Sequence, residues 1–302
     1  MPAPDLSVCI VNWNTSADLE QALASVLQPE PGLRLEVIVL DNASQDGSAD
    51  MVRGRFPGVT LVQSARNLGF AAGYNRAAAQ ARGRHLLMLN PDTVVAPGAL
   101  GRLVRFLDHH PGAAAVGPRL LNSDGSLQLS CRRFPRPMAA LLRNTLLGRL
   151  IGGRDRFTRE YLMADWDHAT TREVDWISGA AMAIRREAWG KVGGFDEGFF
   201  MYAEDMDWCL RAHQAGYTIH YLPEAVITHR IGRSSDQRPL AMVVEFHRSM
   251  VRFYRKHYAP HWPWGLRWVP TAGIWLRAGL VLAHTLWAEA GDWRRVWRRR
   301  GP

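Results

Sequence analysis

Residues 35–56 read LEVIVLDNAS followed by QDGSADMVRGRF, a nearly continuous apolar run ending in Asp41 and then a short amphipathic segment. An apolar run of this length with β-branched residues predicts a strand buried on both faces, and the segment after it predicts a helix. Upstream, LSVCIVNWN (6–14) and DLEQALASVLQ (18–28) repeat the pair, the latter with Leu19, Ala22, Leu23, Val26 and Leu27 at helical spacing. Downstream, VTLVQ (59–63), GFAAGYNRAAAQARG (69–83) and RHLLMLNPD (84–92) add a strand, a helix and a fourth strand. Wholly apolar strands alternating with helices predict an α/β fold, a doubly wound and mostly parallel sheet covered on both faces. Ligands in such sheets bind beyond the carboxyl ends of the strands. The polar residues there are Asn12 and Asn14, Asp41 and Asn42, Arg66 and Asn67, and Asn90 and Asp92.

Neither GxGxxG nor GxxxxGK[ST] follows a strand, so no Rossmann dinucleotide site and no P-loop is supported. A sheet that binds a nucleotide diphosphate without such a loop needs another source of positive charge, and a divalent cation on hard oxygen ligands supplies it. Asp92, just past a strand, is placed to hold one; the other reading is a turn built from Asn90-Pro91-Asp92. His229, at the end of AVITHR, is a second ligand candidate against a purely structural strand-end histidine. Asp41 offers a carboxylate to a base or ribose, or caps the next helix, a role open equally to Ser44 and Asp46. Gly69 and Gly73, beside Arg66 and Asn67, permit close backbone approach or helix packing.

The stretch MYAEDMDWCLRAHQAGY (201–217) sets Glu204, Asp205 and Asp207 on the front edge of a helix otherwise suited to burial. Carboxylates suit a helix N-terminus, yet capping requires only one. Arg211 stands at helical spacing from Asp207 and is expected to pair with it, leaving Asp205 as a general base within reach of an acceptor hydroxyl. Between these regions, NSDGSLQLSCRRFPRP (122–137) reads as a hairpin or irregular crossover, residues 143–168 read as mixed and mobile, and EVDWISGAAMAIRREAWGKVGGFDEGFF (173–200) reads as a strand, a close-packed glycine turn and a short helix.

The chain has 302 residues, enough for one large α/β domain and an appendage, and its 47% hydrophobic and 22% charged content is that of a globular protein. Three cysteines without ligand spacing argue against a disulfide scaffold or zinc knuckle and suit a reducing cytosol, and the N-terminal apolar run is too short for a signal peptide. Of the net charge of +9, residues 230–302 supply fourteen Lys/Arg against four Asp/Glu, leaving the first 229 residues near neutral. The helix pattern LAMVVEFHRSMVRFYRKHYAP (240–260) is basic and amphipathic, and the Trp-rich segment 262–300 is interrupted by Arg277, His284 and Glu289, which suits a membrane interface better than a span. The competing expectation is that this tail packs on the catalytic part or on a second subunit.

Taken in order, VCIVNWNTSADLEQALASVL, VIVLDNASQDGS, RNLGFAAGYNRAA, LLMLNPDTVV, the ISGAAMAIRREAWGKVGGFDEGFFMYAEDMDWCLRAHQAGY stretch and VITHRIGRSS resemble the family 2 inverting glycosyltransferases of the GT-A fold, over about Ser7 to Ser235, and within them the rhamnosyltransferase-like enzymes. The resemblance implies a nucleotide-sugar donor, an Mg²⁺ or Mn²⁺ cofactor, and a lipid-linked or polysaccharide acceptor in cell-wall assembly. By that resemblance Asn12, Asn14, Asp41, Arg66 and Asn67 hold the nucleotide, Asn90, Asp92 and His229 the metal, and Asp205, beside Glu204, is the catalytic base; Trp176, Gly179 and Ala180 line the sugars. The family's Asp-x-Asp begins here with Asn90, a neutral oxygen expected to weaken metal binding. It also implies a catalytic domain over 1–235 (nucleotide half 1–118, acceptor half 119–235), an interfacial extension over 236–302, peripheral attachment to the cytoplasmic face of the inner membrane, no nucleic acid, and a homo-oligomer left open. The alternatives are another donor such as a UDP-hexose, or a non-catalytic protein whose basic C-terminal region binds membrane or nucleic acid.

Overall fold

The computed structural model describes residues 3–135, 158–230 and 239–299, with side chains as far as 287. The first half alternates as expected: β1 (Leu6–Asn12), α1 (Ser16–Val26), β2 (Leu35–Asp41), α2 (Ser48–Arg55), β3 (Thr60–Gln63), α3 (Phe70–Ala78) and β4 (His85–Leu89). There follow β5 (Thr93–Val95), α4 (Ala99–His109), β6 (Ala113–Leu121), β7 (Leu127–Gln128) and β8 (Cys131–Arg132). The second half holds β9 (Arg172–Val174), β10 (Trp176–Ile177), β11 (Ala181–Arg185), α5 (Arg186–Val192), α6 (Glu204–Gln214), β12 (Thr218–His229), α7 (Pro239–His257) and α8 (Trp268–Arg299).

The main sheet runs β3-β2-β1-β4-β11-β6-β12-β5. Strands β1 to β4 are mutually parallel along that path, and β6 pairs parallel with β12. Strand β11 enters antiparallel between β4 and β6, and β5 closes the far edge antiparallel to β12. Every antiparallel pair therefore involves a strand that follows β4, and the sheet stays mostly parallel. Because side chains alternate between faces, Cys9 and Val11 join Ile38, Leu40 and Tyr74 in one core, while Val8 and Ile10 join Val37, Leu19 and Leu103 in the other. That two-sided burial is why the strands lack a polar alternation.

Residues 122–132 form a turn with Gly125 at φ 81°, then β7 back along β6, and β8 paired with β10, so the crossover reading was right in kind. Of the stretch expected to be mobile, 143–157 lie outside the described residues, whereas Met163 and His168 are buried and Trp166 stacks on His168 with centroids 4.3 Å apart. A single strand, β12, spans Thr218–His229, with a break in register between Leu222 and Val226.

Helix α7 is tied to the catalytic half by buried charge. Asp207, fully buried on α6, accepts from Arg211 Nε at 2.8 Å and from His257 Nε2 and Lys256 Nζ at 2.7 Å. Burial pushes its carboxyl up, but these three partners outweigh burial and hold it below the usual carboxylate range. Arg252 and Lys256 meet Asp196 at 2.7 and 2.8 Å, and Ser249 Oγ donates to the Met201 carbonyl at 2.8 Å. No helix among the described residues is long and apolar enough to cross a membrane.

Candidate active site

Parallel strands deliver their carboxyl ends to one edge of a sheet, and here that edge collects the expected residues. Asn12 ends β1, Asp41 ends β2 two strand spacings from the end of β4, or about 10 Å, and Asn90 and Asp92 follow β4. Antiparallel β11 begins at the same edge, so Gly179 and Ala180 sit over Asn90, whose N–H donates to the Ala180 carbonyl at 2.9 Å. His229 ends β12 opposite Thr93.

The β1 and β2 ends form a cross-braced floor. Asn12 Nδ2 donates to Asp41 Oδ1 at 3.3 Å and to Ser44 Oγ at 3.1 Å, and Asp41 Oδ2 accepts from the Ser44 amide at 3.1 Å. Asn14, at φ 53°, accepts from the Gln45 amide at 2.7 Å. The capping alternative for Asp41 falls to Asp46, which accepts from the Ser48 amide at 3.1 Å at the start of α2. Asn42 holds the next loop, donating to Asn67 Oδ1 at 2.9 Å and accepting from the Leu68 amide at 2.8 Å. Arg66 lies on that loop with an exposed guanidinium that has no partner among the described residues.

At the β4 and β12 ends, two acceptors face each other. Gln128 Nε2 donates to Asn122 Oδ1 at 2.9 Å, which turns Gln128 Oε1 toward His229 Nδ1 at 2.7 Å. His229 Nδ1 is then the donor, and Nε2 presents its lone pair 3.3 Å from Asp92 Oδ1 and 3.4 Å from Asn90 Nδ2. Asp92 Oδ1 is buried and accepts no hydrogen bond. A lone pair and a carboxylate oxygen at this separation repel one another unless a cation lies between them, so the residues present fit a divalent metal. No group of three His, Cys, Asp or Glu gathers among the described residues. Asp92, His229 and the amide of Asn90 therefore leave most coordination positions to substrate phosphate and water, as hard divalent cations with nucleotide ligands accept.

The acidic helix start lies across β10 and β11 from this point. Tyr202 and Ala203 both adopt positive φ (70° and 65°), a conformation that non-glycine residues hold at a cost, and this turn launches α6. Asp205 Oδ2 accepts from the Gly179 amide at 2.8 Å and Oδ1 from the Met206 amide at 2.7 Å. A Cβ on Gly179 would come within 2.9 Å of Met88 Cε, the movable end of that side chain, and 3.4 Å of Asp205 Oδ2, an ordinary contact, so the backbone passes close to the carboxylate. Burial raises the Asp205 carboxyl above its ordinary range, opposed by those two amides and by the charge of Arg132. Glu204 is pushed up much further, by burial and then by the Asp205 charge, and its Oε2 is buried without a partner. The pair thus holds a neutral Glu204 beside an ionisable Asp205, the arrangement a general base requires. Trp176, on β10, donates Nε1 to the Arg133 carbonyl at 3.0 Å and keeps its ring beside Arg132.

Gln128 and Arg132 were not among the sequence candidates. Both lie in the segment legible only as a crossover, and their roles follow from pairings of β7 with β6 and of β8 with β10 that no local pattern encodes.

The comparisons agree with this geometry. The family model "Glycosyltransferase like family 2" matches residues 3–249. An N-acetylglucosaminyl-diphospho-decaprenol L-rhamnosyltransferase of Mycobacterium tuberculosis is 31% identical over 294 residues, covering 93% of this chain and 94% of that one. The rhamnosyltransferase WbbL of Escherichia coli is 30% identical over 141 residues, 46% of this chain and 49% of its own. In fold, the chain is similar to the mannosyltransferase PcManGT of Pyrobaculum calidifontis, solved with GDP-Man and Mn²⁺, with a TM-score of 0.57, 22% identity and coverage of 96% and 76%. The chain therefore has the GT-A fold, belongs to the family 2 glycosyltransferases and is a glycosyltransferase.

Proposed function

We propose that this enzyme transfers L-rhamnose, with inversion, from dTDP-L-rhamnose to a hydroxyl of a lipid-linked saccharide in the assembly of a cell-surface polysaccharide. The observation that carries the reading is the convergence of Asp205, held by the Gly179 amide, with Asp92 and His229 at one sheet edge. The rhamnosyl donor is supported by the 31% identity, over nearly all of both chains, to an enzyme named for rhamnose transfer to a diphospho-decaprenol-linked sugar.

In the proposed reaction Asp205 accepts the proton of the acceptor hydroxyl as that oxygen bonds to the anomeric carbon. The bond from that carbon to the diphosphate oxygen breaks on the opposite face, and the electron pair leaves with the diphosphate, which inverts the centre. A bound Mg²⁺ or Mn²⁺ would be held by Asp92, His229 and Asn90 and would supply neutralisation of the departing diphosphate. Asn12, Asp41, Asn14 and Arg66, with the Asn42–Asn67 brace, shape the nucleotide end. Asp205 stays ionisable because Gly179 and Met206 donate to it, and Glu204 stays neutral, so only one carboxylate of the pair competes for the proton.

The acceptor reading extends to the C-terminal helices. Trp268, Leu276, Leu280, Leu286 and Trp287 are exposed and recur on one side of α8, away from α7. Helix α7 turns Arg248, Arg252, Arg255 and Lys256 toward Trp275 in a cleft of about 590 Å³. An apolar helix face flanked by cations suits the surface of an anionic bilayer, and this supports peripheral attachment at the cytoplasmic leaflet.

The test is release of nucleoside diphosphate from UDP-, dTDP- and GDP-sugars, with and without Mg²⁺ or Mn²⁺, in the presence of a lipid-linked sugar. Metal-dependent turnover of dTDP-L-rhamnose alone is expected. Turnover of a UDP-hexose instead overturns the donor, and retention on DNA but not on anionic vesicles overturns the membrane reading.

A further inference from the structure

Among the described residues, Arg132 is a half-buried guanidinium with no carboxylate in salt-bridge contact. Its Nε is buried and unbonded there, and the one hydrogen bond it makes to a described residue is a long contact, 3.5 Å, from Nη2 to the Leu129 carbonyl. Two rings flank it: the guanidinium carbon lies 5.3 Å from the centroid of Trp176 and 5.7 Å from that of Tyr161. A cation withdrawn from water and left without a counter-ion costs stability, and such groups are retained where an anionic ligand completes them. Its charge reaches Asp205, so it stands on the base side of the site.

The segment 127–132 fixes which anion that is. Gln128, at one end, orients His229 beside Asp92, where the departing diphosphate is neutralised. Arg132, at the other end, pairs through β8 with Trp176. Ser130, two residues before Arg132, accepts from the Ser178 amide, and the next residue, Gly179, holds Asp205, so this end of the segment lies along the strand that carries the base. The base-side position is where the acceptor enters, since its hydroxyl must reach Asp205.

We propose that Arg132 binds the diphosphate that joins the acceptor sugar to its lipid, with the rings of Trp176 and Tyr161 packing against the sugar and the lipid-proximal atoms. Guanidinium nitrogens match phosphate oxygens in forked geometry, and the flanking rings hold the fork in place. The proposal rests on the lipid-linked acceptor reading above and names the acceptor-side group that the site recognises.

The experiment compares two acceptors on the full chain: N-acetylglucosamine joined to a short prenyl chain through diphosphate, and the same sugar as a prenyl glycoside without phosphate. Wild type is expected to bind the diphosphate acceptor about ten- to a hundredfold more tightly in a donor-free titration, with the same ratio in KM. Arg132→Gln is expected to abolish that preference while leaving the prenyl glycoside's affinity unchanged, and Arg132→Lys to restore part of it. Equal loss of kcat on both acceptors with unchanged binding would place Arg132 in service of the base and overturn the proposal. Arg132→Gln binding both acceptors as wild type does would overturn it too. Equal binding of both acceptors by wild type would instead overturn the acceptor reading, an outcome separate from the failure of Arg132. Because the titration needs no turnover, it remains decisive if a variant is inactive.

Discussion

The amide of Gly179 donates to Asp205 Oδ2 at 2.8 Å, and a single methyl group on Gly179 would lie 2.9 Å from Met88 Cε and 3.4 Å from the same carboxylate oxygen. A strand connection and a helix start, 26 residues apart, thus meet at the carboxylate proposed as the base. Asp205→Asn should lower kcat by about 10²- to 10⁴-fold with binding of donor preserved. Gly179→Ala should change kcat by only a few-fold, since Met88 Cε can move aside and the methyl meets the carboxylate at ordinary contact distance. Turnover with the donor under saturating acceptor, compared with donor affinity by titration, checks both.

The pH profile follows from the same contacts. Asp205 acts as base only when ionised, and burial raises its carboxyl, so activity should fall on the acid side through a limb above the ordinary carboxylate range. The limb belongs to the Glu204–Asp205 pair. Arg132→Gln removes a charge that favours the ionised form, so the limb should move upward. A profile of kcat/KM against pH that keeps its limb at the ordinary Asp value would contradict the assignment.

Glu204 should cost stability at neutral pH. Its folded carboxyl is raised well above the unfolded one, so its contribution is fully present below the unfolded value and is lost as pH rises through the folded value. Glu204→Gln should therefore stabilise the protein by roughly 1 to 2 kcal/mol at pH 7 and by progressively less as pH falls toward 4. Thermal melts of both proteins across that range give the comparison.

Asp207 has the opposite sign. It is buried among Arg211, Lys256 and His257, its carboxyl is held low, and its stabilisation is present above the unfolded value and lost as pH falls through the folded one. Asp207→Ala leaves Arg211, Lys256 and the His257 ring without their shared acceptor and should destabilise by about 3 to 5 kcal/mol at neutral pH. The loss should shrink in acid, and urea midpoints at pH 7 and pH 3.5 would reveal it.

Gln128 acts through His229. Replacing it with Leu frees the imidazole to turn and to protonate the wrong nitrogen, so Mn²⁺ affinity measured by electron paramagnetic resonance should fall about 10- to 100-fold. Asp92→Ala should abolish binding, and Gln128→Glu, which keeps the acceptor, should retain most of it. Unchanged Mn²⁺ affinity in Gln128→Leu would remove the second-layer role.

The alternation of apolar strands with helices, the polar residues at strand ends and the pairing of Asp207 with Arg211 were legible in the sequence, because burial on two faces and helical spacing act over a few residues. The i+4 arginine claims Asp207, while Asp205 turns to the Gly179 amide, a partner no helical spacing encodes. Helix α4 carries helical spacing too, in Leu100, Leu103, Val104 and Leu107, whereas the pairing of β5 and β6 and the antiparallel entry of β11 depend on which strand edges remained open after β1 to β4 paired. The partners of the site residues lay further off still. Gln128 meets His229 across 101 residues and Asp207 meets His257 across 50, and Arg132 reaches the base only because β8 pairs with β10. Periodicity and capping choose local conformation, whereas the unpaired charge beside Asp205, the fixed tautomer of His229 and the lock of α7 onto α6 depend on strand order and side-chain burial, which only the tertiary structure decides.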